Sequence, residues 1–135
     1  MLHRNFAVLA AGLGLLVSVP PAVAHHSFAA EYDANKTIKI TGTVTKVEWM
    51  NPHARFYVAV KDDAGALTKW NFELGAIPVL LKQGWRRDSL KEGDQVTVEG
   101  NLAKDGSKSA NARRVTLPDG RRVVAGSSAD NPNQQ

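Results

Sequence analysis

The sequence contains no cysteine among its 135 residues. Disulfide bonds, thiolate metal sites, thiol redox chemistry and covalent attachment of a c-type haem are therefore excluded. Aromatic residues make up only 7% of the chain, and it lacks an apolar segment of ~20 residues, the length that crosses a bilayer. We therefore expect a domain that is held together by its apolar core, without covalent cross-links.

The first 24 residues have the three parts of a secretory signal peptide. A charged start is followed by an apolar run from Phe6 to Val19 and by Ala22-Val23-Ala24, which is a cleavage site of the A-x-A type. Pro20 and Pro21 end the apolar run before ~20 residues are reached, so we expect removal of this segment. The predicted mature chain begins at His25, has no transmembrane segment and is periplasmic or secreted.

The charge balance is mildly basic. The chain has 17 Lys and Arg against 13 Asp and Glu, a formal net charge of +4, and removal of the signal peptide takes away the charge of Arg4. Nucleic-acid binding depends on neutralising many phosphates, and an exported chain is unlike most nucleic-acid-binding proteins in its location. We therefore expect no nucleic acid among the partners.

Alternation of apolar and polar residues predicts most of the elements. The predicted strands are 37–49, 55–61, 67–74, 95–102 and 111–117, with a short terminal strand at 121–124. Within the first strand the alternation shifts by one residue near Thr45 and Lys46, which predicts a β-bulge. Between the third and fourth strands the apolar spacing becomes helical, which predicts one short helix from Ala76 that ends before Gly84.

Three consecutive strands, a short helix and two further strands are the element order of the OB-fold, a small five-stranded Greek-key barrel. The predicted fold class is therefore all-β with one short helix. The predicted divisions are a signal peptide at 1–24, an extension at 25–36, the OB-like barrel at 37–125 and a disordered polar tail at 126–135. A β-sandwich or an SH3-like barrel stays open, because periodicity does not give the order of strands in a sheet.

Six short motifs are spread over nearly the whole predicted mature chain. They are His25-His26-Ser27-Phe28, Gly42-Thr43-Val44, Glu48-Trp49-Met50-Asn51-Pro52-His53-Ala54, Trp70-x-Phe72-Glu73, Gly84-Trp85 and Gly93-Asp94-x-Val96-x-Val98-x-Gly100. Together they resemble the family of small exported bacterial proteins known as domain of unknown function 6152. The resemblance implies an envelope location and a single small β-domain, and it names no substrate.

Three histidines remain after cleavage at Ala24. At the new amino terminus, His25 offers both its α-amine and its ring nitrogen, and His26 and His53 add further imidazoles. This set of nitrogen ligands suits Cu(II), which makes copper the candidate cofactor. Met50 would add a thioether that favours Cu(I). A solvated histidine pair and a histidine that only closes a turn are the alternative interpretation.

The predicted turn between the first two strands lies at the mouth of the barrel, where OB-folds often place their ligands. The candidate ligand-binding residues around this turn are Trp49, Asn51, His53 and Tyr57. They predict a site for a small ligand or an envelope protein whose identity the sequence does not indicate. The sequence gives no indication of the oligomeric state.

Two carboxylates, Glu48 and Glu73, are the strongest candidates for acid–base chemistry. Alternation places both on strand faces opposite the core, and the chain has no nucleophile motif or phosphate-binding loop. We therefore assign no catalytic residue. The leading interpretation is a non-enzymatic periplasmic binding module, and the alternative is a copper-binding protein that uses His25 with His26 or His53.

Overall fold

The computed structural model describes residues 27–130. Within this range the chain forms six strands, two short α-helices and a 3-10 helix. The strands are β1 (Tyr32–Glu48), β2 (Arg55–Lys61), β3 (Leu67–Glu73), β4 (Gln95–Ala103), β5 (Ser109–Thr116) and β6 (Arg122–Val124). The helices are α1 (Phe28–Glu31), α2 (Ile77–Lys82) and the 3-10 helix Ser128–Asp130. The predicted signal peptide, His25 and His26 lie outside the described residues.

Five of the strands close into a ring. The sheet order is β3-β2-β1-β4-β5-β6, and β3 also pairs in parallel with β5. The ring therefore runs β1-β2-β3-β5-β4 and returns to β1, which is the strand order of an OB-fold barrel. This closure confirms the predicted OB-like barrel. No helix in residues 27–130 has the length and apolar character that a membrane crossing requires.

The long strand β1 pairs with two different strands of the barrel. Its first part pairs with β4, and its last part pairs with β2. The register with β2 shifts between Val44 and Lys46, at the position where the sequence predicts a bulge. Gly42 lies just before this shift, and a Cβ there would be only 2.4 Å from the backbone oxygen of Ala59.

The apolar core fills the interior of the ring. Phe56 on β2 and Phe72 on β3 are opposite one another, and their stacked rings have centroids 5.4 Å apart. The indole of Trp85 closes one end, where its Nε1 donates to the backbone oxygen of Val124 at 2.7 Å. Fully buried aliphatic side chains complete the core, namely Leu74, Leu80, Val44, Val58, Val98 and Val115.

The two ends of the described chain differ from the sequence expectation. The strand β1 begins at Tyr32, not at residue 37, and α1 precedes it, so part of the predicted extension is regular structure. Residues 126–130 lie against the barrel, where the hydroxyl of Ser127 is 2.5 Å from Oδ1 of Asn111. The predicted disorder is therefore wrong for residues 126–130, because composition measures apolar burial and these residues are held by polar contacts. Residues 131–135 lie outside the described range.

We predict that Gly42→Ala lowers the free energy of unfolding by about 1–3 kcal/mol. The added methyl group would overlap the β2 backbone where β1 passes between its two partners, so one of the strands has to shift. Urea unfolding followed by tryptophan fluorescence measures the change. The control Thr37→Ala, at an exposed position of the same strand, should change stability by less. An unchanged midpoint for Gly42→Ala would show that the close approach is not required.

Candidate functional site

Four neighbouring strands place polar side chains at one level on the outside of the barrel. Arg55 on β2 pairs with Glu73 on β3, Glu73 pairs with Asn111 on β5, and Asn111 pairs with Asn101 on β4. Direct cross-strand neighbours project from the same face of a sheet. These four residues, here called the polar row, therefore line up on one face. Glu73, Asn111 and Asn101 are only 6%, 2% and 1% exposed.

Both ends of the described chain cover the polar row. From the beginning of β1, the backbone oxygens of Asp33 and Ala34 accept from Nδ2 of Asn101 at 3.3 and 3.1 Å. From the C-terminal segment, Ser127 bonds Asn111, and Asp130 pairs with Arg113. The polar row is thus a second buried region, which is built from hydrogen bonds and is separate from the apolar core.

The carboxylate of Glu73 is the centre of this region. It pairs with the guanidinium of Arg55, and the phenol of Tyr32 lies close enough, at the start of β1, to interact with its charge. Tyr32 is 5% exposed. Burial, together with the nearby negative charge of Glu73, raises the pKa of the Tyr32 phenol well above its usual value. Tyr32 therefore stays protonated beside the carboxylate of Glu73.

His53 extends this cluster to the surface. The residue follows Pro52 in the turn between β1 and β2, and its Nδ1 lies 3.3 Å from Oε1 of Glu73. The side chain is 32% exposed, and no residue in the range 27–130 contacts its Nε2 through a hydrogen bond or ion pair. One ring nitrogen of His53 thus faces a buried carboxylate, and the other is available to a ligand.

His53 lies in the wall of a cleft between the β1–β2 turn, α2 and the C-terminal segment. The cleft has a volume of about 390 Å³, which is within the range of small-molecule sites. Its lining includes Pro52, His53, Val79, Gln83, Ser127 and Asp130. This cleft, here called the His53 cleft, therefore combines an imidazole, an amide, a hydroxyl and a carboxylate with one apolar wall.

The other candidate ligand-binding residues lie elsewhere. Trp49 is half-buried and packs against the apolar core, and Asn51 is exposed in the turn. The hydroxyl of Tyr57 is 3.3 Å from Oε2 of Glu48 on the outer face of the sheet. Of the four residues that the sequence singles out, only His53 lines the His53 cleft.

The two candidate acid–base carboxylates are separated by a cation. In the strand register, Arg55 on β2 lies opposite Glu48 on β1 and opposite Glu73 on β3. The two carboxylates therefore lie on the two strands that flank β2. The ammonium group of Lys46 hydrogen-bonds Glu48, and this contact lowers the pKa of the Glu48 carboxyl. Each carboxylate therefore has its own basic partner. Glu73 lies on the outer face, as alternation predicts, but it is buried there by the ends of the chain.

Four residues of the site are not among those that the sequence singles out, namely Tyr32, Arg55, Asn111 and Ser127. A signal existed for Arg55, because the sequence Asp62-Asp63-Ala64-Gly65 is typical of a hairpin turn. Such a turn fixes the register of β2 and β3 and puts Arg55 opposite Glu73. Tyr32 precedes a break in the register of β1, Ser127 was expected to be disordered, and Asn111 begins a predicted strand whose neighbours the sequence did not indicate. For the predicted copper ligands, residues 27–130 contain no group of three or more His, Asp or Glu side chains that is arranged to hold a metal ion. Of the three predicted histidine ligands, the described range contains His53, and the predicted thioether ligand Met50 is exposed beside it in the chain.

Comparison with known proteins gives a family and a fold. The model of DUF6152, a family of unknown function, matches residues 14–112. No curated protein matches the sequence.

Solved structures with a similar fold include two forms of Rim1, the mitochondrial single-stranded DNA binding protein from S. cerevisiae. The first is 13% identical with a TM-score of 0.45, and the match covers 61% of this chain and 91% of that chain. The second is 16% identical with a TM-score of 0.48, covering 61% and 93%. The N-terminal domain of PriB from Thermoanaerobacter tencongensis is 17% identical with a TM-score of 0.42, covering 62% and 96%. At these identities the likeness concerns the fold alone.

We predict that alkaline pH destabilises the protein through Tyr32. The ordinary pKa of a tyrosine is 10.0 and that of folded Tyr32 is higher, so above pH ~10 the unfolded chain releases this proton while the folded chain keeps it. Stability therefore falls as the pH rises through that value. Urea unfolding between about pH 8 and about pH 11 should show a smaller fall for Tyr32→Phe than for the unaltered protein.

Tyr57→Phe is the matched control for this experiment, because Tyr57 lies on the outer face and bonds Glu48 instead of Glu73. The control variant should keep the full fall in stability. Equal pH dependence of Tyr32→Phe and the unaltered protein would contradict the burial of the Tyr32 phenol.

Proposed function

This chain belongs to the DUF6152 family, and we propose that it is a non-enzymatic binding module of the bacterial envelope whose ligand lies in the His53 cleft. One observation supports this above all, namely that a partly exposed imidazole in the wall of a cleft is backed by a buried carboxylate. A histidine that only closed its turn would use its ring nitrogens on the turn itself. His53 instead contacts Glu73, a residue of the third strand.

The lining of the cleft indicates what kind of ligand fits. Gln83 and Asp130 add polar groups to the imidazole, and Val79 of α2 provides an apolar wall that is 42% exposed. Small-molecule sites typically combine apolar walls with a few polar groups that orient the ligand. A small polar molecule or ion fits this site better than an extended polymer does.

Binding is favoured over acid–base catalysis by the state of the carboxylates. Glu48 and Glu73 are each paired with a cation, Lys46 and Arg55 respectively. Acid–base pairs need one carboxyl group that gives up a proton and one that accepts it, and an ion-paired carboxylate is poorly suited to the first role. An envelope location is supported by the signal-peptide pattern of residues 1–24.

We predict that protein isolated from the periplasm under gentle conditions carries its ligand and that narrowing the cleft removes it. Native mass spectrometry should show a non-covalent mass on the unaltered protein. The variant Val79→Trp places an indole over the cleft and should lose that mass. Val124→Trp is the matched control, because Val124 is also a valine with 42% exposure and does not line the cleft. Retention of the mass by Val79→Trp, or its absence from the unaltered protein, would argue against the proposal.

Copper binding is the second candidate, and the same histidine favours it. Histidines that bind metals commonly have a carboxylate or carbonyl at the other ring nitrogen, and Glu73 has this position relative to His53. In addition, the ring of Phe28 lies 5.7 Å from that of Tyr32, whose phenol interacts with the charge of Glu73. The segment that directly follows His25 and His26 in the sequence is thus docked on the cluster that holds His53.

For this candidate we predict tight one-to-one Cu(II) binding by the mature chain that starts at His25. Copper titration followed by electron paramagnetic resonance measures affinity and nitrogen ligation. An extra residue before His25 removes the amine ligand and His53→Ala removes an imidazole, so both variants should bind more weakly. Gln83→Ala, which alters the cleft without removing a nitrogen ligand of this set, is the control. Binding that His53→Ala leaves unchanged would contradict a role for the cleft in copper binding.

A further inference from the structure

A β-bulge in β5 turns two consecutive arginines to the outside of the barrel. Ala112 and Val115 are both fully buried in the apolar core, and strict alternation would direct one of the two residues between them inward. The register of β5 with β4 shifts at this point, so the strand has an extra residue there. Bulges commonly re-aim a side chain in this way. Arg113 and Arg114 therefore both project from the outer face, where the first is partly exposed and the second is exposed.

Glu99 on β4 does not neutralise the two cations that lie next to it. In the strand register it lies opposite Lys39 of β1 on one side and opposite Arg114 of β5 on the other. Both of its carboxylate oxygens instead accept from Nη2 of Arg122, at 2.8 and 3.0 Å. Lys39 and Arg114 are exposed, and neither has an ion pair or a side-chain hydrogen bond within residues 27–130. Two cations thus remain without a counter-charge beside one ion pair.

A depression of about 630 Å³ lies on the outer face over β1, β4 and β5. The charged side chains of its lining are three cations and one carboxylate, namely Lys39, Arg113, Arg114 and Glu99. Their formal net charge is therefore +2. Arg122 and Asp130, the ion-pair partners of Glu99 and Arg113, add one charge of each sign and leave this balance unchanged. This basic depression shares no lining residue with the His53 cleft.

We propose that the basic depression is a second binding site, which holds a phosphate group between Lys39 and Arg114. The strands of these two residues are separated by β4, so their backbones are ~10 Å apart, a gap that two long side chains close around one small anion. A guanidinium fork matches the oxygens of a phosphate, and an ammonium group adds a point charge.

The charge of the basic depression favours a phosphate monoester. Such a group carries nearly two negative charges at neutral pH, which equals the net charge of the lining with opposite sign. Nucleic-acid binding depends on neutralising many phosphates along a chain, and the depression offers only two cations without a partner in the described residues. A small molecule with one phosphate group therefore fits this site. The site is additional to the function proposed for the His53 cleft.

Inorganic phosphate alone is the first probe. It is titrated into the mature chain at about pH 7, with sodium chloride added to hold the ionic strength constant, and ¹H–¹⁵N correlation spectra follow the backbone amides. We expect saturable shifts confined to residues 37–39, 99–101 and 113–114. Arg114→Gln removes a charged hydrogen-bond donor and should weaken phosphate binding by ~10-fold or more. Lys39→Gln should weaken it in the same direction.

Arg87→Gln is the matched control for Arg114→Gln. Arg87 is also an exposed arginine without a partner in the described part of the chain, and it lies outside the basic depression. This variant should bind phosphate as the unaltered protein does, and circular dichroism checks that each variant is folded. Shifts that do not saturate, or equal phosphate affinity in Arg114→Gln and Arg87→Gln, would overturn the proposal. That result would leave the function of the His53 cleft standing, because the ligand mass in that cleft is measured separately.

A phosphate group can belong to a soluble compound or to a lipid headgroup, and sedimentation with vesicles distinguishes the two sources. Mixed vesicles of phosphatidylglycerol and phosphatidylcholine are anionic, and vesicles of phosphatidylcholine alone are the uncharged control. Sedimentation with the anionic vesicles that Arg114→Gln abolishes supports the site and assigns its phosphate to a lipid. Binding of inorganic phosphate without sedimentation supports the site and assigns a soluble phosphate compound, which is the result we expect from the charge of the depression.

Discussion

The ion pair between Arg55 and Glu73 is the contact on which the outer polar face of this barrel depends. Glu73 is 6% exposed, and an unpaired carboxylate at that depth would cost several kcal/mol. The strand register provides a partner for this carboxylate, because β2 and β3 pair so that Arg55 lies directly opposite Glu73. Tyr32 and His53 then complete its surroundings. The position of His53 therefore depends on three separate elements, the start of β1, the β1–β2 turn and the β2–β3 hairpin.

The molecule has two buried regions with different chemistry. Inside the ring, apolar side chains pack against one another, and burial of their surface is the main stabilising term. Outside the ring, the polar row is covered by the two ends of the described chain through hydrogen bonds, each of which contributes only about 1 kcal/mol net. The C-terminal end also forms part of the wall of the His53 cleft, through Ser127 and Asp130.

Most of the barrel could be predicted from the sequence, and the exceptions are segments whose partners lie far away in the chain. Alternation located the strands, the shift near Thr45 predicted the bulge, and the order of elements predicted the ring. The beginning of β1 was missed because Tyr32 pairs with Ala103 and the register then breaks before Thr37. The docking of residues 126–130 was missed because Ser127 and Asp130 are held by Asn111 and Arg113, and composition does not reveal hydrogen-bond partners.

The sequence by itself determined the strands, the turn that carries His53 and the signal-peptide pattern, because periodicity and turn chemistry depend on residues that are close together in the chain. It also placed Glu73 on the outer face of its strand. Only the tertiary structure decided that this face is buried and that Glu73 contacts both His53 and Tyr32. Those contacts join residues that are far apart in the sequence, and they form only when the ring closes and the two ends of the chain fold over it.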